Sequence, residues 1–336
     1  MTAAYAPRSE PSAATAVARL RVMALCFFLF FCTAAASNDN DGFAAGRFEA
    51  SGKQRRYLLR RPATGARPTA IVLMLHGHTG SPEQLIGRKG RAAPYRRWSD
   101  IADRENLLLI APQGLEGNDG YSGWNDCRAD AETNPTDDDA RFLTELIADA
   151  QRRYRTTSSR VYVVGTSNGG MMALRLAIER PERVTATAAI VAAMPAHSEC
   201  AEPQRAEPVM FVNGTEDPLL PFTGGRIGKD RAGRGEALSA TDSIAIWARL
   251  AGASDPPRIV RLPDVSPDDG STVLHETYAM RDGVPLAVLA RIVGGGHTEP
   301  SRSQRYPRWT ALLLGAQNGD IESADRIWDF FRAQSH

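Results

Sequence analysis

The sequence predicts an α/β fold, with one mostly parallel central sheet, helices on both of its faces and a single domain. Two observations carry that expectation. Short runs that are apolar at nearly every position recur along the chain, as in TAIVLML (69–75), NLLLIA (106–111) and RVYVV (160–164). Strands buried on both faces read this way, because parallel sheets are covered on both sides. Stretches with helical spacing alternate with these runs, which is the signature of βαβ units. A hydrophobic content of 43% and a charged content of 24% exclude a collagen, a coiled coil, a disordered chain and a polytopic membrane protein.

Taken in order, Phe48 to Arg60 alternates weakly and stops before Pro62, as edge strands do. Residues 69–75 form the first buried strand, and His76-Gly77 follows it directly. Residues 96–105 are helical, and residues 106–111 form a second buried strand that Pro112 stops. Residues 113–137 are rich in Gly, Asn and Asp and read as a long loop, a feature often tied to function in compact domains. Asp137-Asp138-Asp139 then precedes a helix with Phe142, Leu143, Leu146 and Ile147 on its apolar face. Carboxylates suit a helix N-terminus, where they cap free N–H groups and meet the dipole. That role is preferred to a metal site. Residues 160–164 form a strand and 168–179 a helix. Residues 185–193 and 208–213 are strands, 239–251 a helix, and 271–279 and 286–293 strands. An amphipathic helix over 320–333 closes the chain.

The N-terminus reads differently. Residues 23–36, MALCFFLFFCTAAA, are an apolar run behind Arg19 and Arg21 that ends in small residues. The basic flank, short apolar stretch and A-x-A-like exit match a secretory signal. The run is shorter than the ~20 residues that span a bilayer. Residues 1–36 are therefore expected to be a cleaved signal, 37–46 a disordered lead and 47–336 the α/β domain. Cleavage removes Arg8, Arg19, Arg21 and Glu10, so a full-length net charge of +1 becomes −1. Neither value offers a field for nucleic acid. Only Cys127 and Cys200 would remain, and two cysteines in an oxidising compartment read as one disulfide. That bridge is expected to pin the 113–137 loop.

The chemistry sits after the third strand. Gly165-Thr166-Ser167-Asn168-Gly169 matches G-x-S-x-G, and it lies between strand RVYVV and helix NGGMMALRLAIE. That context is a nucleophile elbow, with Ser167 held in a tight turn above the sheet. A serine needs a base and an orienting acid, which follow it in the order acid, then histidine. His297 is the base: it stands in Gly294-Gly295-Gly296-His297 after the last strand, where the Gly run makes a flexible loop. His275 falls inside an alternating strand and His336 is terminal. Strand VMFVN runs into Gly214-Thr215-Glu216-Asp217-Pro218. Both acids are possible, and Asp217 is preferred because Pro218 fixes the backbone after it. The oxyanion needs two N–H donors. Asn168 should supply one, and the loop after the first strand the other, from His78 with Gly77 next. His76 and His78 lack nearby Cys or carboxylate ligands for a metal, so neither metal nor cofactor is expected. Tyr121 and Trp124 are assigned to the substrate cleft, with local packing as the alternative.

In this order LHGHTGS, SNGGMM, VNGTEDPLLPF, LSATDSIAIWARLAG and VGGGHTEP resemble the polyhydroxybutyrate depolymerase-type esterases, a family that includes secreted feruloyl esterases. The resemblance covers about residues 48–334. It implies an α/β-hydrolase fold, a triad at Ser167, Asp217 and His297, and hydrolysis of small or polymer-derived esters without a cofactor. Two positions depart from the family's pattern: Glu299 stands where a Trp usually follows His-Thr, and His78 where an uncharged residue is usual. Both are expected beside the acyl or alcohol pocket. Prolyl-oligopeptidase-type cleavage shares the same triad, and a polymer- or carbohydrate-binding protein with a lapsed site is the reading from another class.

Overall fold

Alternation of apolar and polar positions sets the first hairpin. In a computed structural model that describes residues 41–90, 92–228, 233–253 and 256–334, β1 (Phe43–Ala50) pairs antiparallel with β2 (Lys53–Arg60). Ser51 and Gly52 turn the chain at positive φ. The expected lead over 37–46 therefore ends earlier, since residues 43–46 already belong to β1 and pair with Tyr57–Arg60. Ala44-Ala45-Gly46 look like a linker, but Phe43 is buried in the core and Gly46 lies against the Tyr57 ring. A Cβ on Gly46 would come within 2.3 Å of the Tyr57 ring. The expected signal segment, with Cys26 and Cys32, lies outside the described residues, as does His336.

The chain continues through β3 (Ala70–Leu75), α1 (Pro82–Leu85), α2 (Arg97–Glu105) and β4 (Leu107–Pro112). The long loop that follows holds only the short pair β5 (Leu115–Glu116) and β6 (Ser122–Gly123). Next come α3 (Asp139–Tyr154), β7 (Val161–Thr166), α4 (Asn168–Glu179), β8 (Ala186–Ile190) and β9 (Val209–Gly214). The last part contains β10 (Gly225–Arg226), β11 (Glu236–Ala237), α5 (Ala240–Leu250), β12 (Arg258–Arg261), β13 (Thr272–Arg281), β14 (Val284–Val293), α6 (Ala311–Leu314) and α7 (Ser323–Ala333).

Ten strands form one sheet in the order β1-β2-β4-β3-β7-β8-β9-β14-β13-β12. The stretch from β4 to β14 is parallel throughout, and antiparallel strands extend it at both edges. Within β3, Ile71 and Leu73 pack with Phe142, Leu146 and Met172, from α3 and α4. Val72 and Met74 face the other way, toward Trp98 of α2 and Phe331 of α7. The two-residue period of a strand sends alternate side chains into separate cores. α5 extends the first cover over β9 and β14 through Ile244 and Trp247. β12 was not legible as a strand, because all four of its residues are exposed and its ends are arginines. Among the described residues no helix is long and apolar enough to cross a membrane.

The three consecutive aspartates are spent on structure. Asp137 pairs with Lys53 at 2.6 Å, Asp138 caps α3 by accepting the Arg141 N–H, and Asp139 pairs with Arg55 at 2.7 Å. Because the central strands run parallel, their C-terminal ends lie along one edge of the sheet. In open α/β sheets ligand sites collect there, and Ser167, Asp217 and His297 follow the ends of β7, β9 and β14.

Candidate active site

The turn between β7 and α4 is built by close backbone contact. A Cβ on Gly165 would lie 2.1 Å from the Gly169 carbonyl oxygen, and one on Gly169 would lie 2.4 Å from the carbonyl oxygens of Leu75 and His76. Only glycine fits either position. Between them Ser167 adopts φ 54°, ψ −124°, a conformation that L residues rarely hold. Its N–H donates to Ile190 O and its side chain makes no capping bond to α4. The hydroxyl is thus left free at the sheet edge, partly exposed. Strain held at one residue by packing around it is characteristic of functional turns.

Asp217 and His297 meet across the ends of β9 and β14. His297 Nδ1 is 2.7 Å from Asp217 Oδ2. Asp217 Oδ1 accepts the N–H groups of Leu219 and Leu220, each at 2.8 Å, so the carboxylate is clamped with one oxygen toward the imidazole. The neighbouring Glu216 is exposed. The Gly run before His297 is not the flexible loop its composition suggests. A Cβ on Gly296 would lie 2.0 Å from Leu314 O, and one on Gly214 would lie 2.2 Å from Gly295 O. The glycines let three backbone segments touch, and His297 N–H is fixed on Leu314 O.

Two loops frame Ser167. A Cβ on Gly77 would stand 3.4 Å from Ser167 Cβ, so the loop after β3 lies flush against the serine. Thr79 N–H donates to Ser122 O and Gly80 N–H to Gly77 O, whereas no acceptor among the described residues takes the His78 N–H. As the first residue of α4, Asn168 also has an N–H outside the helix ladder. Its side chain is locked: Oδ1 accepts Trp124 N–H at 2.7 Å, and Nδ2 donates to Trp124 O and Asp126 Oδ2. Asp126 is buried and paired with Arg128 at 2.7 Å. The sequence reading missed Asp126, since an Asp within a polar loop carries no signal of burial. Cys127, the next residue, is bonded to Cys200, with Cα atoms 5.3 Å apart. The bridge therefore anchors the segment that grips Asn168.

Trp124 does not line the cleft. It is fully buried, and its Nε1–H donates to His76 O at 2.8 Å beneath the loop. Burying an indole whose N–H finds a backbone carbonyl satisfies both its apolar body and its polar edge. Tyr121 is 56% exposed; it lines a polar groove with Lys53, Arg56 and Ser122 and sets its ring against His78. His78 Nε2 lies 2.9 Å from Asp119 Oδ2, poorly aligned for a hydrogen bond. Burial, and then Arg234, hold the His78 ring below the ordinary histidine range. Glu299 is 7% exposed on the floor of a cleft of about 430 Å³ whose wall includes Gly77 and Thr166.

His76 supports the loop from below. Its Nδ1 donates to Gly77 O at 2.8 Å, and its Nε2 accepts the Gly114 N–H at 3.0 Å. Burial pushes its pKa from 6.5 to about 4. Below pH 6.5 the unfolded chain therefore binds a proton that the folded chain refuses. The stabilisation is complete above pH 6.5 and shrinks as the pH falls to 4, by about 3 kcal/mol at most. Urea unfolding at pH 7 and pH 4 should show that much more loss in the native protein than in His76→Gln. Equal losses would mean that His76 is solvated.

Residues 63–231 match the Phospholipase/Carboxylesterase family. NocK, a candidate esterase of Nocardia uniformis subsp. tsuyamanensis, is 28% identical over 292 residues, spanning 83% of this chain and 80% of NocK. Feruloyl esterase D of Neurospora crassa is 26% identical over 189 residues, spanning 54% of this chain and 59% of that protein. The acetyl xylan esterase from Aspergillus awamori superimposes with a TM-score of 0.56 at 14% identity, over 86% of this chain and 99% of the other. The fold is thus that of the α/β-hydrolase esterases.

Proposed function

The chain belongs to the phospholipase/carboxylesterase family, and from that premise we propose a secreted serine esterase that cleaves carboxylic esters through an acyl-enzyme. The observation that carries this reading is the clamped Asp217–His297 pair at 2.7 Å, on the same sheet edge as a strained Ser167 with a free hydroxyl. His297 Nε2 takes the Ser167 proton as Oγ attacks the ester carbonyl. Asp217 holds the Nδ1–H tautomer and stabilises the imidazolium. The amides of Asn168 and His78 receive the oxyanion. Collapse breaks the C–O bond, and the imidazolium gives its proton to the departing alcohol. Water, deprotonated by His297, then releases the acid and regenerates Ser167.

The substrate is a polyhydroxyalkanoate oligomer or a feruloyl or acetyl ester; the feruloyl and acetyl choices are in keeping with the feruloyl and acetylxylan esterases among the relatives. Export is supported by the signal-like segment at 23–36 and by the disulfide, which persists in oxidising compartments. A fluorophosphonate probe should label the folded protein on Ser167, read by peptide mass spectrometry. Failure to label Ser167 in folded protein would overturn the serine-hydrolase reading.

A further inference from the structure

The buried carboxylates differ in what faces them. Asp126 faces Arg128, Asp139 faces Arg55, Asp217 faces His297 and Glu276 faces Arg291. Asp320 takes the backbone amides of Val265 and Ser266 and the Asn318 amide, and does not line the cleft. Glu299 also lacks a cation, and unlike Asp320 it lines the cleft and meets only hydroxyl groups. Its Oε1 accepts from Thr166 Oγ1 at 2.7 Å and its Oε2 accepts from the Tyr306 hydroxyl. Tyr95 OH stands 3.0 Å from the same Thr166 oxygen. Among the described residues no Arg, Lys or His lies within ion-pair distance of Glu299. Lys89 lines the same cleft but is exposed.

A carboxylate removed from water without a counter-charge is costly unless a ligand supplies one. Two neutral hydroxyls satisfy part of its hydrogen-bonding capacity and leave lone pairs over on each oxygen. The walls beside it are aromatic, since Tyr95, Tyr306 and Trp309 line the cleft. Aromatic faces attract cations through their quadrupoles, quaternary ammonium groups above all. The cleft is of small-molecule size, and Gly77 and Thr166 carry its wall up to Ser167.

We infer that this cleft is a subsite for a cationic group of the ester, a protonated or quaternary amine, held by Glu299 and the rings of Tyr95, Tyr306 and Trp309. The inference rests on the esterase reading and adds a specificity-determining residue to it. Charge at fixed shape is the discriminating variable. kcat/KM would be compared for butyrylcholine and 3,3-dimethylbutyl butyrate, which place the charge in the alcohol. The p-nitrophenyl esters of 4-(trimethylammonio)butanoic acid and 5,5-dimethylhexanoic acid place it in the acyl group. At least one cationic ester should exceed its neutral partner by about tenfold. In Glu299→Gln that ratio should fall to near one, whatever the absolute rates. Wild-type ratios at or below one in both pairs overturn the inference, even while p-nitrophenyl acetate hydrolysis upholds the esterase reading. A ratio unchanged in Glu299→Gln removes Glu299 from the subsite. Hydrolysis of no ester at all overturns both readings. The wild-type ratios decide the matter even where Glu299→Gln does not fold.

Discussion

Ser167→Ala should lower kcat toward p-nitrophenyl acetate by roughly four to six orders of magnitude, the cost of removing the proposed nucleophile, which would act with its base as a unit. A residue of catalysis should survive, because the proposed donors at Asn168 and His78 would still polarise a bound carbonyl. Stability should barely change. The Ser167 side chain makes no capping bond, and alanine occupies φ 54° with the same steric difficulty as serine. The separation is therefore sharp: activity disappears while the urea midpoint stays in place. A loss of less than tenfold would place the nucleophile elsewhere. A large loss of stability would mean that the hydroxyl holds the turn together.

Asp139→Ala should destabilise the protein by about 3–5 kcal/mol, the cost of breaking a buried ion pair from one side. Asp139 is fully buried and Arg55 is 3% exposed. Burial raises the Asp139 carboxyl above its ordinary range, and Arg55 only partly offsets that. The Arg55 guanidinium also sits 4.0 Å over the Phe142 ring. Removing Asp139 strands that charge in a dry site and frees the Asn125 N–H, which donates to Asp139 Oδ2 at 2.9 Å. The effect should therefore reach the loop that grips Asn168. The double variant Arg55→Met/Asp139→Asn removes both charges and keeps an acceptor for Asn125. It should recover at least half of the lost unfolding free energy in urea. A single-variant loss below about 1 kcal/mol would show instead that water reaches the pair.

Much of the fold was legible because each local signal has one physical cause. Val72 and Met74 are as apolar as Ile71 and Leu73, which strands between two helical layers require. The elbow was legible because only glycine fits at 165 and 169, and the cost of any other residue there is steric. The placement of His297 was legible from its position after the last strand, and the structure brings it to Asp217. The Gly run beside it was read for the wrong reason. Composition cannot separate a glycine that permits motion from one that permits contact.

Pairings between distant segments left no local trace. Trp124 and Tyr121 are aromatics in the same loop, yet one is buried under His76 and the other faces a groove. Nothing in YSGWND tells them apart. Asp126, Asp139 and Glu299 are ordinary acids in sequence, and their roles come from Asn168, Arg55 and Thr166, each far away along the chain.

By itself, then, the sequence determined the layered α/β architecture, the strained serine turn and the chain order of Ser167, Asp217 and His297. Hydrophobic period, steric exclusion at glycine and strand direction are all written in neighbouring residues. The tertiary structure alone decided which polar side chains lose their water and what replaces it. Desolvation depends on whatever the folded chain brings within a few ångströms. That is why Trp124 became support, Asp126 a clamp and Glu299 a buried acid without a cation on the floor of the cleft.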